Sequence, residues 1–211
     1  MNRKAEAIEI ISRLSEEYLG AKIGLKFSNP LELLVATVLS AQCTDAIVNR
    51  VTAGLFDKYR TAEDYANADL GQFEQEVRST GFYRVKARNI INAARLMLTD
   101  FDAQVPKTMA ELVILPGVAR KTANIVLYNG YGVTCGIAVD THVRRLSRRL
   151  GLSQSSDPER IEQDLMKQVP RAKWGHFPCL LIEHGRAVCT ARKPKCDVCI
   201  LSDICPSVFE V

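Results

Sequence analysis

No apolar run among the 211 residues reaches the roughly 18 that a membrane-spanning helix needs, which sets aside an integral membrane protein. The amino-terminal stretch Met1–Glu17 mixes charge with Ile and Leu at helical spacing, so it is read as neither a signal peptide nor a transit peptide. Low-complexity segments and long linkers are missing as well, and no convincing apolar/polar alternation occurs, so strands should be few or absent. With 47% hydrophobic and 25% charged residues, the chain has ordinary globular composition. A soluble, cytoplasmic protein is expected, nucleoid-associated in a bacterium.

What the chain does have is seven cysteines. In a reducing compartment, metal binding or catalysis explains cysteines better than structural disulfides do. Cys43, Cys135 and Cys179 stand singly among mostly apolar neighbours and are expected to be small buried hydrophobes. Cys189, Cys196, Cys199 and Cys205 crowd into the tail, separated by six, two and five residues. Four thiolates so close in sequence can close on one metal centre, and spacing alone admits either zinc or a [4Fe–4S] cluster. The net charge of +4 says little, but its distribution says more: residues 140–195 hold 12 Lys/Arg against 6 Asp/Glu. That segment is basic enough to lie on a polyanion.

The apolar period is helical almost throughout. Asn29-Pro30-Leu31-Glu32 reads as a helix start, with Asn29 as N-cap, Pro30 at the first helical position and Glu32 completing a capping box. Thr108–Glu111 is a second capping box, and Asp157-Pro158 a third start. Helices are predicted near 3–19, 30–41, 44–59, 69–79, 84–100, 120–131, 140–150, 158–168 and 172–187.

The most informative stretch is Leu112 to Asn124, reading LVILPGVARKTAN. A short apolar helix stops at Pro116-Gly117 and another begins within about four residues. So tight a connection leaves N–H groups of the new helix facing outward, a nest suited to a phosphate. A grip by main chain carries no base information, as a protein that slides over any sequence requires. Lys121 lies at the start of that helix. The positive end of the helix dipole, together with the partial burial expected there, favours a neutral amine, which is a nucleophile. Asp140 opens a later helix, where Asp is a favoured N-cap, ahead of His142 and arginines at 144, 145, 148 and 149.

The stretch Leu-Pro-Gly-Val-x-Arg-Lys-Thr-Ala resembles the helix–hairpin–helix of the endonuclease III family. The stretch Ile137-Ala138-Val139-Asp140-Thr141-His142-Val143-Arg144-Arg145, whose Asp140 lies nineteen residues after Lys121, is similar to that family's catalytic aspartate segment. The likeness extends to Leu39–Asp45, Gly81–Ala87, His184-Gly185-Arg186 and the tail cysteines, and so spans nearly the whole chain.

The resemblance implies an all-α fold of two helical lobes with a DNA-binding cleft between them. One, residues 22–132, would be a six-helix barrel-like domain with the helix–hairpin–helix near 110–131. The other, residues 1–21 plus 133–211, would carry a [4Fe–4S] cluster in the loop 189–205, held by Cys189, Cys196, Cys199 and Cys205. It implies a base-excision repair DNA glycosylase with abasic-site lyase activity that removes oxidised pyrimidines such as thymine glycol. Lys121 would form the Schiff base, and Asp140 would assist. The partner would be duplex DNA with a damaged base or abasic site, bound by a monomer. DNA contacts are expected from Gln42, Phe82, Leu115, Gly117, Val118, Ala119, Arg120, Arg144, Arg192 and Lys193. Gln42 would fill the gap left by the flipped base and Phe82 would wedge the opposite strand; a polar helix end and a core aromatic are the plainer alternatives.

Two departures from the family pattern stand out. Ala119 occupies the place of a second hairpin glycine, where a Cβ would crowd a phosphate or strain a left-handed backbone. Phe82 stands where a leucine is usual. Three other functions compete. The sister adenine-specific mismatch glycosylase lacks the lysine and carries a further C-terminal domain, whereas this sequence has Lys121 and stops six residues after its last cysteine. A non-catalytic DNA-binding protein is disfavoured by Lys121 with Asp140. A cluster-containing redox or sensor protein is the third.

Overall fold

A computed structural model describes residues 3–210, with the side chain of Arg3 excepted, and shows helices and turns with no strand among the described residues. The chain forms two compact units, one of Gly24–Cys135 and one of Met1–Ile23 with Gly136–Val211.

In the continuous unit, helix α2 (Pro30–Leu39) begins as its sequence dictates: Asn29 Oδ1 accepts the Glu32 N–H at 3.0 Å. Glu32 reaches one residue further back than expected, to the Ser28 N–H at 2.6 Å. Helices α3 (Asp45–Lys58), α4 (Ala62–Ala66), α5 (Leu70–Glu76) and α6 (Tyr83–Asp100) follow, with a 3₁₀ turn at Arg78–Thr80 before the last. Helix α4 was not foreseen; five residues are too few for a periodic signal, and a full capping box of Thr61 with Asp64 sustains it. Helices α7 (Met109–Leu112) and α8 (Arg120–Tyr131) close the unit. Thr108 caps α7 as expected, accepting the Glu111 N–H at 3.3 Å. Leu33, Leu39, Phe73, Ala87, Leu112, Leu115 and Leu127 are buried in this unit, and α8 packs on α2 and α7.

The second unit assembles α1 (Arg3–Glu17), α9 (Thr141–Arg149), α10 (Pro158–Gln168) and α11 (Phe177–Ala187). Its core joins Ala7, Ile10 and Leu14 of α1 to Val143 and Leu146 of α9, Ile161 and Leu165 of α10, and Phe177, Leu180 and Leu181 of α11. Asp157 caps α10, as expected. The helix predicted over 172–187 is divided: a 3₁₀ turn at Arg171–Lys173 precedes α11, whose first turn contains Pro178. Proline has no N–H for an i−4 bond, so it fits a first turn and not a helix interior. Among the described residues, no helix is long and apolar enough to cross a membrane.

Candidate functional site

The hairpin is built by two backbone conformations. Gly117 adopts φ +81°, and a Cβ there would lie 2.8 Å from Asn89 Nδ2 and 2.9 Å from Asn89 Cβ. Both the left-handed φ and the close approach of α6 therefore demand glycine. Ala119 is the N-cap of α8 at φ −95°, ψ 171°, an extended backbone open to any L-residue. The left-handed strain expected at Ala119 is absent. What alanine does change is capping: it supplies no side-chain oxygen, so the first-turn N–H groups of α8, which have no intrahelical acceptor, receive none from their cap.

Leu115 and Val118 are buried beneath this turn, so their expected part in DNA binding is limited to main chain. Gly117 and Ala119 are exposed, and Arg120 is partly so. Lys121 is the second residue of α8 and is exposed, so the partial burial expected of it is not found. The helix N-terminus is the feature the fold supplies to this amine.

Two further loops of the same unit carry Gln42 and Phe82. Both have left-handed backbones, φ 52° and φ 48°, unusual for non-glycine residues and costly for a bulky aromatic. Phe82 is 66% exposed, so it is no core aromatic, and Gln42 is exposed on the turn beyond α2. One side chain links their bases. The Lys86 ammonium, buried at 4% exposure, donates to Leu39 O at 2.8 Å and Thr80 O at 2.7 Å.

In the other unit, Asp140 is the N-cap of α9, its Oδ1 accepting the Val143 N–H at 2.8 Å. A carboxylate tied by one oxygen keeps a second for other work. Alternate basic residues of α9 face different ways. Arg144 and Arg148 are exposed, whereas Arg145 donates to Cys189 O and Gly185 O, and Arg149 donates to Thr190 O at 2.7 Å and Ala191 O at 3.0 Å. These tethers fix the start of the cysteine loop; sequence reasoning, which expected a DNA contact from Arg144 and assigned no role to Arg145 or Arg149, missed them. Gly185 permits the packing of α11 on α9: a Cβ there would meet Arg145 Nη2 and His142 Nδ1, each at 2.8 Å.

No two cysteines are bonded to each other, and all seven are partly exposed. Cys43 and Cys135 are thus not the fully buried residues expected. Cys179 packs against the apolar core, where burial pushes its thiol up to about 11. Cys189, Cys196, Cys199 and Cys205 line a single cavity together with Arg149, His184 and Leu201. Four thiols lining one cavity are a donor set that fits a [4Fe–4S] cluster, which takes four cysteine ligands.

The donors around the sulfurs fit the same group. Arg149 Nη1 lies 3.3 Å from Cys189 Sγ, and His184 Nε2 lies 3.4 Å from Cys199 Sγ. His184 is buried, which pushes its pKa down to about 4 and keeps it neutral. The Tyr18 hydroxyl lies 3.0 Å from Nδ1, so the tautomer protonated on Nε2 accepts from tyrosine and donates to sulfur. Burial raises the Cys199 and Cys205 thiols, against backbone N–H bonds that lower them, so metal loading must displace their protons. Arg192 and Lys193 are exposed within the loop between Cys189 and Cys196.

Comparisons with known proteins place this architecture. Residues 35–171 match the HhH-GPD superfamily of base excision DNA repair proteins, and residues 189–205 match the iron–sulfur binding domain of endonuclease III. The chain is 52% identical over 206 residues to endonuclease III of Synechocystis, covering 98% of this chain and 94% of that one. It is 40% identical to endonuclease III of Escherichia coli K12, covering 96% and 95%. Among solved structures it resembles a trapped endonuclease III–DNA covalent intermediate with TM-score 0.94 and 42% identity, covering 100% of this chain and 99% of that one. A thermostable thymine-DNA glycosylase, at TM-score 0.87 and 22% identity, shares the fold. The chain belongs to the endonuclease III family of the HhH-GPD superfamily, base-excision repair DNA glycosylases with abasic-site lyase activity and a [4Fe–4S] cluster.

Proposed function

We propose that this protein excises oxidised pyrimidines such as thymine glycol from duplex DNA and cuts the strand, with Lys121 as nucleophile and Asp140 as its partner carboxylate. The observation that carries the reading is the seat of Lys121, exposed on the first turn of α8 behind the Gly117 turn, in a chain 42% identical to a protein trapped covalently on DNA. The amine lone pair attacks C1′ of an extruded nucleotide, and the electrons of the glycosidic bond leave with the base. Collapse of the resulting aminal opens the sugar and gives an imine. Loss of a C2′ proton then drives β-elimination, expelling the 3′ phosphate as leaving group. Asp140, held by Val143, offers its remaining oxygen to the cationic sugar and to the amine proton.

The hairpin turn of Gly117, Val118 and Ala119 grips a phosphate through main chain, with Arg120 and Arg144 adding charge. Gln42 enters the gap left by the base and Phe82 wedges the opposite strand. Cys189, Cys196, Cys199 and Cys205 ligate the cluster, which when bound staples the loop that presents Arg192 and Lys193 to the backbone. We take the two functional lobes as residues 22–132 and 1–21 with 133–211, bounds that differ by a few residues from those of the compact units. We take the protein to act as a cytoplasmic monomer.

Borohydride trapping on an abasic-site duplex, run beside excision of thymine glycol, tests this. The expected result is a covalent adduct with the native chain and none with Lys121→Gln. A full yield of adduct from Lys121→Gln would defeat the assignment.

A further inference from the structure

The Gln42 and Phe82 turns belong to separate stretches of chain, and each leaves a helix end. Leu39 is the last residue of α2, and Gln42 follows three residues later at φ 52°. Thr80 ends the 3₁₀ turn, and Phe82 follows two residues later at φ 48°. The carbonyls of Leu39 and Thr80 lie at the point where each backbone turns away from its helix. C-terminal carbonyls of a helix lack intrahelical donors and carry the negative end of its dipole. Lys86 Nζ bonds both, at 2.8 and 2.7 Å. Its own N–H donates to Phe82 O at 3.1 Å, so the residue holds the second loop from two sides.

A lysine so buried is expensive, because its ammonium is removed from water and its two acceptors are neutral carbonyls rather than carboxylates. Burial accordingly pushes its pKa down, opposed by the nearby Cys43. An apolar side chain of similar length would fill the space without that cost. What it could not do is bind two oxygens at once.

We propose that Lys86 is a positioning residue that locks the Gln42 and Phe82 turns into one fixed spacing, so that both side chains enter a duplex together. The inference rests on the DNA roles of Gln42 and Phe82 given above. Loops with left-handed non-glycine residues persist only where their surroundings over-determine them. A single ammonium spanning both bases supplies that constraint at the two carbonyls where it acts.

The test uses the cluster-loaded full chain and two substrates. One is a thymine glycol duplex with 2-aminopurine beside the lesion, which reports extrusion by fluorescence. The other is a single-stranded abasic oligonucleotide, which needs no gap filled or strand wedged. Lys86→Met is expected to lower the single-turnover excision rate about 10- to 100-fold, the usual cost of roughly 1 Å misplacement, and to suppress the fluorescence rise. Imine trapping on the single strand should stay within about twofold of the native value. Combining Lys86→Met with Gln42→Ala or Phe82→Ala should give less than the product of the separate effects.

If Lys86→Met loses its helical circular dichroism, Lys86→Leu, which likewise lacks an N–H donor for the two carbonyls, is measured in its place. Loss of fold in both, an equal fall on both substrates, unchanged excision, or strictly multiplicative effects would each overturn the proposal. Should Gln42→Ala and Phe82→Ala themselves leave duplex excision unchanged, the underlying assignment of those two residues fails instead.

Discussion

Replacing Gly117 by alanine should cost both stability and DNA affinity, while replacing Ala119 by glycine should do neither. At Gly117 an L-residue must hold φ +81°, which costs roughly 1–2 kcal/mol. The new Cβ also falls 2.8 Å from Asn89 Nδ2 and 2.9 Å from Asn89 Cβ, both closer than real contacts allow. The amide can swing aside, but Asn89 Cβ is fixed to α6, so the hairpin itself must move. A further kcal/mol or so is reasonable for that shift, about 2–3 kcal/mol in all. For a chain of this size that corresponds to a fall in Tm of roughly 5–10 °C. At φ −95° Ala119 pays no such strain, and glycine there serves only as a somewhat better N-cap, worth about 0.5 kcal/mol. Thermal circular dichroism and fluorescence anisotropy on undamaged duplex at fixed salt read both variants. A Gly117→Ala protein with unchanged Tm and affinity would refute the reasoning. So would a large gain in affinity from Ala119→Gly, which would locate the constraint at the wrong residue.

Two further outcomes follow from the same geometry. Asp140→Asn keeps a good cap for α9, because the amide oxygen can still accept the Val143 N–H, but removes the charge; Asp140→Ala loses both. The asparagine variant should melt within about 0.5 kcal/mol of the native protein yet turn over slowly, and the alanine variant should lose about 1 kcal/mol besides. Equal activity of Asp140→Asn and the native chain would reduce Asp140 to a cap. Arg149→Met removes the donor to Cys189 Sγ and the tethers to Thr190 O and Ala191 O. Iron and sulfide content should then fall faster under chelator than in the native protein, with α9 still helical, and an identical rate of loss would contradict the tethering role.

Local chemistry made much of this molecule legible in its sequence. Asn29, Thr108 and Asp157 announce their helices because a cap needs one particular oxygen at one position. The hairpin is equally readable, since proline and glycine restrict the backbone on their own account. Features that depend on distant partners were not. Lys86 looks like any exposed lysine on an amphipathic helix, and its acceptor Leu39 lies 47 residues away. Arg145 and Arg149 are indistinguishable by type from Arg144 and Arg148, and only the direction of α9 separates tethers from exposed charges. The strain expected at Ala119 came from the second glycine usual at that place in the family, but within the turn Gly117 alone takes the left-handed conformation. Cysteine spacing could not choose between zinc and iron, because both accept four thiolates. The match of residues 189–205 to the iron–sulfur binding domain of endonuclease III supplies that choice.

The central claim is that one primary amine, on the first turn of α8, becomes covalently joined to the sugar. Peptide mass spectrometry of the borohydride-reduced adduct addresses it directly, since the reduced linkage survives digestion and marks the residue that bore it. The account predicts the deoxyribose-derived mass on the peptide carrying Lys121 and on no other. Recovery of that mass at the amino terminus or at a different lysine, with Lys121 unmodified, would contradict it.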